Sequence, residues 1–289
     1  MNPLLKKAVP SRLREARYRY RRLGAAKSLR YYAIEHAEQR KPGPEAGQPF
    51  DIGGAELVPH GSTVHAIRSH WVDYAHGVQE LRAFKGLAAG HNELLDIGAA
   101  EGIYSAAFCA LTGRRAWALE PSPEMYGRLR GLCDLNSSFE IETCQIAVGA
   151  TAGHRAVRLY PDGQFSGVGA SDGEAMDVTT LDEFTAEREL APDLAKIDVE
   201  GMELDVLRGG ERTFRDSVQA ILLEVHYDLL AQQGQSVREL QSLLADYGFS
   251  LEDLDAAPIE DLERFTQANP EPVPGYTIVV CRRPSVPAP

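Results

Sequence analysis

Asp96, Gly98, Ala100 and Gly102 fall within seven residues of the stretch LLDIGAAEGIYSA, 94–106, where an apolar run ends on a carboxylate and small residues follow. Small residues in a tight turn after a strand let the backbone come close to a ligand. A second acid, Glu120, closes the run RRAWALE 24 residues after Asp96, where a carboxylate can take both hydroxyls of a ribose. Asp198 and Glu200 stand at the end of DLAKIDVEG, and Glu224 and His226 at the end of VQAILLEVH. Polar groups at the ends of several strands are what a crevice on one rim of a parallel sheet requires.

Those residues can share a rim only if the intervening sequence alternates strands with helices. ELLDIG, RRAWALE, SFEIETCQIAV, DLAKIDVEG, VQAILLEVH and GYTIVVCRR read as strands. GIYSAAFCALTG, SPEMYGRLRGLCDLN, MELDVLRGGERTF and SVRELQSLLADYG read as helices. Ser122 and Ser236 are the expected N-caps, Glu124 lies in the first turn after Ser122, and Gly113 and Gly248 are the expected stops. YAHGVQELRAFKGLAA forms a helix leading into the first strand. Residues 153–180 hold short strand-like runs, expected as a hairpin or meander on an edge. Residues 50–72 suggest short strands and a lid. The expected fold class is α/β, a doubly wound and mostly parallel sheet, with an N-terminal helical extension.

The dinucleotide fingerprint G-x-G-x-x-G wants a third glycine where this chain has Ile103. That counts against an NAD(P)-binding oxidoreductase, although Glu120 alone fits that reading too. The spacing Gly98-x-Ala100-x-Gly102 resembles instead the G-x-G-x-G turn of S-adenosylmethionine-dependent methyltransferases. More specifically, the chain resembles the FkbM family of class I methyltransferases. LLDIGAAEGIYS looks like that family's first motif, and ALEPSPEMYGRLRGLCDLN, closing on Asn136, like its acidic second-strand motif. VTTLDEF, LLEVH and above all LAKIDVEGMELDVLRGG carry the rest, and the likeness runs from residue 80 to 283. The resemblance implies a Rossmann-like sheet of seven strands, S-adenosyl-L-methionine as cofactor, and methyl transfer to a hydroxyl of a sugar, natural product or other small molecule. Cofactor contacts are then expected at Asp96, Gly98, Ala100, Gly102, Tyr104, Glu120, Pro121, Ser122, Ala147 and Asp198, with Asp96 serving the cationic part of the methionine moiety. Ala100, where many relatives have Asn or Gly, is a mild departure. A methyltransferase-like fold kept as a non-catalytic binding module is a further reading.

Methyl transfer to a hydroxyl needs alignment and a group to remove the proton. His226, Asp198 and Glu200 are the catalytic candidates; the imidazole suits neutral pH and the two acids flank the fourth strand's end. Lys196 is expected half-buried and paired with a carboxylate. Asp198, Glu200, Glu224 and His226 also suit a divalent ion such as Mg2+, which would lower the pKa of the hydroxyl; Asp198, Glu224 and His226 are the leading ligand candidates. The Asn/Asp-Pro-Pro-aromatic run of many base-directed N-methyltransferases is replaced by DVEG, which disfavours nucleic-acid methylation.

The chain has 289 residues, 44% of them hydrophobic, enough for one sizeable core. Residues 1–40 carry eleven Lys/Arg and three Glu, a net of +8, which leaves −20 on the other 249 residues of a chain whose net charge is −12. An acidic body with a basic head is poorly suited to wrapping nucleic acid through its main surface, although the head could still touch an anionic partner. Residues 1–75 are expected as a basic helical extension with a Pro/Gly linker at 41–49 and a lid, and 76–289 as the methyltransferase domain; the N-terminal helices offer a surface for a homo-oligomer. The four cysteines form no C-x-x-C pair, no run of 18 apolar residues predicts a membrane span, and the N-terminus lacks an apolar signal core. A cytoplasmic enzyme acting on a small-molecule or glycoside acceptor is the expectation.

Overall fold

The computed structural model describes residues 43–68, 71, 75–159, 165–168, 174–268 and 275–284. The basic stretch 1–40, with its expected helices and oligomer surface, lies outside the described residues. Seven strands form the central sheet: β1 (Glu93–Ile97), β2 (Arg115–Leu119), β3 (Ile141–Cys144), β4 (Leu194–Ile197), β5 (Ala220–Val225), β6 (Ser250–Glu252) and β7 (Thr277–Arg282). Their order is β3-β2-β1-β4-β5-β7-β6. The first five are parallel, and β7 runs antiparallel between β5 and β6. The chain leaves β1 toward one edge and returns through β4 toward the other, so β1 and β4 flank the switch point where a crevice opens.

β1, β4 and β5 are almost wholly buried because helices cover both faces of the sheet. Leu95, Ile97, Ala195, Ile197, Ile221 and Leu223 point into one core. Leu94, Leu194, Ala220 and Leu222 point into the other, with Phe84, Ala106, Ala107 and Phe108 from the helices Ala75–Ala88 and Ile103–Thr112. The two-residue period of a strand then places Asp96, Lys196 and Glu224 on the second face, in register with Leu94, Leu194 and Leu222. Ser122 and Ser236 cap the helices Pro123–Leu135 and Val237–Asp246, accepting from the N–H of Met125 at 3.3 Å and of Glu239 at 3.1 Å.

Three stretches depart from the sequence pattern. The run 138–148 breaks after Cys144, and Ala147–Val148 leaves the central sheet to pair in parallel with Glu174–Thr179. The strand-like runs of 153–180 therefore belong to a separate four-stranded sheet rather than to an edge of the main one. The helical run 202–214 splits at Gly210, and a side chain at the neighbouring Gly209 would collide with the backbone of Gly149. β6 has only three residues, too few for alternation to show. No helix among the described residues is long and apolar enough to cross a membrane.

Residues 43–68 and 71 are packed onto the body. Ile52, Leu57, Ile67 and Trp71 are buried in the second core. Asn136, at the end of the helix Pro123–Leu135, grips this segment: its Oδ1 accepts from the N–H of Val58 and its Nδ2 donates to the carbonyls of Val58 and Leu132, all at 2.8 Å. Each of these buried groups loses its partner if the side chain is cut back. Asn136→Ala is expected to lower unfolding stability by about 2–4 kcal/mol; a urea midpoint equal to wild type would show that the clamp holds nothing.

Candidate functional site

A cavity of about 550 Å³, open to solvent, lies at the carboxyl ends of β1, β2 and β4. Gly98, Ala100, Glu120, Pro121, Ala147, Asp198 and Glu200 line it, with Ile97, Leu119, Met125, Ile146, Val148 and Val199 as its apolar walls. The turn after β1 is built for close approach. Gly98 and Gly102 have φ of 75° and 80°, and Ala100 takes the left-handed region with φ of 47°. A Cβ at Gly98 would be driven into the carbonyl of Asp198, and one at Gly102 into Leu129. Internal packing therefore demands both glycines; Gly98 also borders the cavity, whereas Gly102 does not.

Glu120 is only 4% exposed and is held at both oxygens. The N–H of Ala100 donates to its Oε2 and that of Ser122 to its Oε1, each at 2.8 Å. Burial raises its pKa to about 7, against the pull of those two backbone donors. Ser122 itself caps its helix and does not line the cavity.

Asp96 and Tyr104 lie beneath this floor. Asp96 is fully buried, accepts from Ser105 Oγ at 2.7 Å, and stands 3.7 Å from Lys196 Nζ. Burial raises its pKa, and the Lys196 charge opposes that rise. Lys196 is 5% exposed, more deeply buried than its sequence suggested. Its ammonium donates to the Gly98 carbonyl at 2.9 Å and to Asp198 Oδ2 at 3.2 Å. Tyr104 donates to the buried Glu80 and accepts from Trp71 Nε1 at 3.3 Å. Burial and the charge of Glu224 push Glu80 up to about 8. Asp96 and Tyr104 thus support the turn from below and do not border the cavity.

On the far rim, His226 follows β5 and is 6% exposed. Its Nδ1 lies 2.8 Å from Glu203 Oε1, and its Nε2 faces Glu200 at 3.3 Å, Glu224 at 3.4 Å and Asp198 at 3.9 Å. Burial works against a charge on the ring, but the contacts with Glu203, Glu224 and Asp198 outweigh it and hold its proton up to about 12. Burial likewise lifts Glu200 to about 7. Glu200 takes a left-handed φ of 50°, which turns its side chain toward the cavity. Asp198, Glu224 and His226 can each bring one donor atom within 4.8 Å of the other two, so the set fits a metal ion.

The structure thus gathers Gly98, Ala100, Glu120, Pro121, Ala147, Asp198 and Glu200 around one cavity, with Glu224 and His226 beside it. Sequence reasoning missed Glu203, fully buried at the start of the helix Glu203–Gly209, and Glu80. Glu203 has no local signal, since first-turn acids are ordinary helix starters.

Residues 96–251 match the model of the methyltransferase FkbM domain. A comparison with curated proteins finds no match. Among solved structures, the chain is similar to methyltransferase FkbM from Methylobacillus flagellatus KT, with 18% identity and a TM-score of 0.43 over 89% of this chain and 60% of that one. It is also similar to precorrin-6y C5,15-methyltransferase from Geobacter metallireducens GS-15, with 15% identity and a TM-score of 0.41 over 71% and 88% of the two chains. The N-terminal domain of EvdMO1 with SAH bound gives 13% identity and a TM-score of 0.44 over 87% and 96%. The family match takes in more than half of the residues and both sides of the cavity, from the β1 turn to the end of β5; the chain belongs to the FkbM methyltransferase family.

Proposed function

We propose that this chain is an S-adenosylmethionine-dependent O-methyltransferase acting on a hydroxyl of a small molecule, sugar or natural product. The observation that carries the reading is Glu120: a carboxylate fixed at both oxygens by backbone N–H groups, bordering the cavity directly above the small-residue turn. Such a group, with its remaining lone pairs facing outward, fits the paired hydroxyls of a ribose. Ile97, Leu119, Met125 and Val148 supply apolar walls for a flat base. When bound, the cofactor supplies an electrophilic methyl group on a sulfonium.

Asp198 and Glu200 border the same cavity at the end of β4. Glu200 is the group to take the proton of the acceptor hydroxyl. Its carboxylate is about a quarter exposed, and its ion-pair partner among the described residues is His226. His226 has both ring nitrogens facing carboxylates and serves the rim from behind. Among the described residues the cavity has apolar walls and an acidic rim and no basic lining for a phosphate backbone, which supports a neutral or cationic acceptor over nucleic acid.

Calorimetry tests the cofactor side. Glu120→Ala is expected to weaken S-adenosylmethionine binding by about 1–3 kcal/mol. Because the Glu120 pKa is raised to about 7, its carboxylate is protonated below that pH and charged above it. Affinity should therefore rise from pH 6 to pH 8 in the wild type and stay flat in Glu120→Gln. No binding by the wild type would remove the whole reading. Methyl transfer from labelled cofactor to a panel of glycosides and hydroxylated small molecules tests the acceptor side. With an acceptor in hand, Glu200→Gln is expected to lower turnover about 10²–10⁴-fold while cofactor affinity is kept; an unchanged rate would exclude Glu200 as the base.

A further inference from the structure

We infer that Asp198, Glu224 and His226 bind a divalent metal ion of the Mg2+ or Mn2+ class, with Glu203 as the buried residue that aims the histidine at it. This rests on the reading that an acceptor hydroxyl meets the rim at Glu200. The donor set is two carboxylates and one imidazole from the ends of β4 and β5, which suits a hard divalent ion.

Two geometric facts support the site independently. The first is the spacing around His226 Nε2. Carboxylate oxygens surround it at 3.3, 3.4 and 3.9 Å, all longer than a good N–H···O hydrogen bond of about 2.7–3.2 Å. Two ligands each about 2.1 Å from one ion at octahedral or tetrahedral angles lie about 3.0–3.4 Å apart. Glu224 already has that separation, and Asp198 reaches it with a shift of half an ångström or so. The second is the other ring nitrogen. Nδ1 lies 2.8 Å from Glu203, which is fully buried and is itself fixed by the Gly201 N–H at 3.0 Å. A buried carboxylate on the far nitrogen is the arrangement that sets the tautomer and ring plane of a metal-bound histidine. The other Glu203 oxygen is buried and finds no hydrogen-bond partner among the described residues.

Charge points the same way. Asp198, Glu200, Glu203 and Glu224 converge on His226, and the neighbouring cation, Lys196, already serves Asp96, Asp198 and the Gly98 carbonyl. Four carboxylates thus gather around one imidazole, and a divalent ion held between Asp198, Glu224 and Nε2 would balance part of that charge. Its place beside Glu200 lets the ion acidify a hydroxyl whose proton Glu200 takes.

The test uses the full chain stripped with a chelator and titrated with Mn2+, followed by electron paramagnetic resonance. One saturable Mn2+ per chain is expected, displaced by Mg2+, with nitrogen coupling from one imidazole in the pulsed spectrum. Glu224→Gln should lose the site and His226→Asn the nitrogen coupling. Glu203→Ala should weaken affinity about 10–100-fold and Glu203→Gln less, because the glutamine oxygen still accepts from Nδ1–H. Wild-type protein that binds S-adenosylmethionine but shows no saturable Mn2+ overturns this inference and leaves the proposed function standing. Bound Mn2+ without nitrogen coupling, or undiminished in Glu224→Gln, also overturns it. Bound Mn2+ in protein that ignores the cofactor would remove the methyltransferase reading and keep the metal site.

Discussion

One buried ammonium holds the centre of this molecule together. Lys196 sits on the middle strand of the sheet, nearly out of reach of water, and touches three things at once: the Gly98 carbonyl in the β1 turn, Asp198 at the end of its own strand, and Asp96 on the neighbouring strand. A buried charge is tolerated only when it is paired and hydrogen-bonded. Here the pairing does more than neutralise, because it ties the β1 turn to the end of β4, the two sides of the crevice. The parallel register sets Asp96 beside Lys196, so the contact depends on the pairing of β1 and β4 and in turn fixes the turn above them. Asp96, expected as a ligand contact, is better understood as part of this foundation.

The strands β1, β4 and β5 were legible as apolar runs because both of their faces are covered. The rim residues were legible for the same reason: a polar residue that ends such a run has to leave the core. What the pattern could not give was depth. Glu203 and Asp205 both lie in the first turn of one helix and look alike in sequence, yet Glu203 is fully buried and Asp205 is not. What separates them is tertiary: Glu203 meets the ring of His226. The separate sheet around 147–179 was hidden for a related reason. The apolar pattern runs on through 145–146, where the chain changes sheets, and partner choice between strands distant in sequence has no local signature.

Two of the four non-glycine residues in the left-handed region, among the described residues, stand at the crevice. Ala100 and Glu200 both occupy the left-handed region, which costs an L-residue about 1–2 kcal/mol each. They follow β1 and β4, and both border the cavity. Each is fastened on the spot, Ala100 through its N–H to Glu120, and Glu200 by the glycine that follows it and the ion pair to His226. Surroundings that over-determine such conformations are typical of functional sites.

The contact between Gly98 and the Asp198 carbonyl has an evolutionary consequence. Main chain meets main chain there, with no side chain between to lengthen or trim. The width of the crevice at its base is thus beyond the reach of point substitutions that would leave the sheet intact. Substitutions that re-fit the acceptor are therefore channelled outward, into the segments that frame the opening.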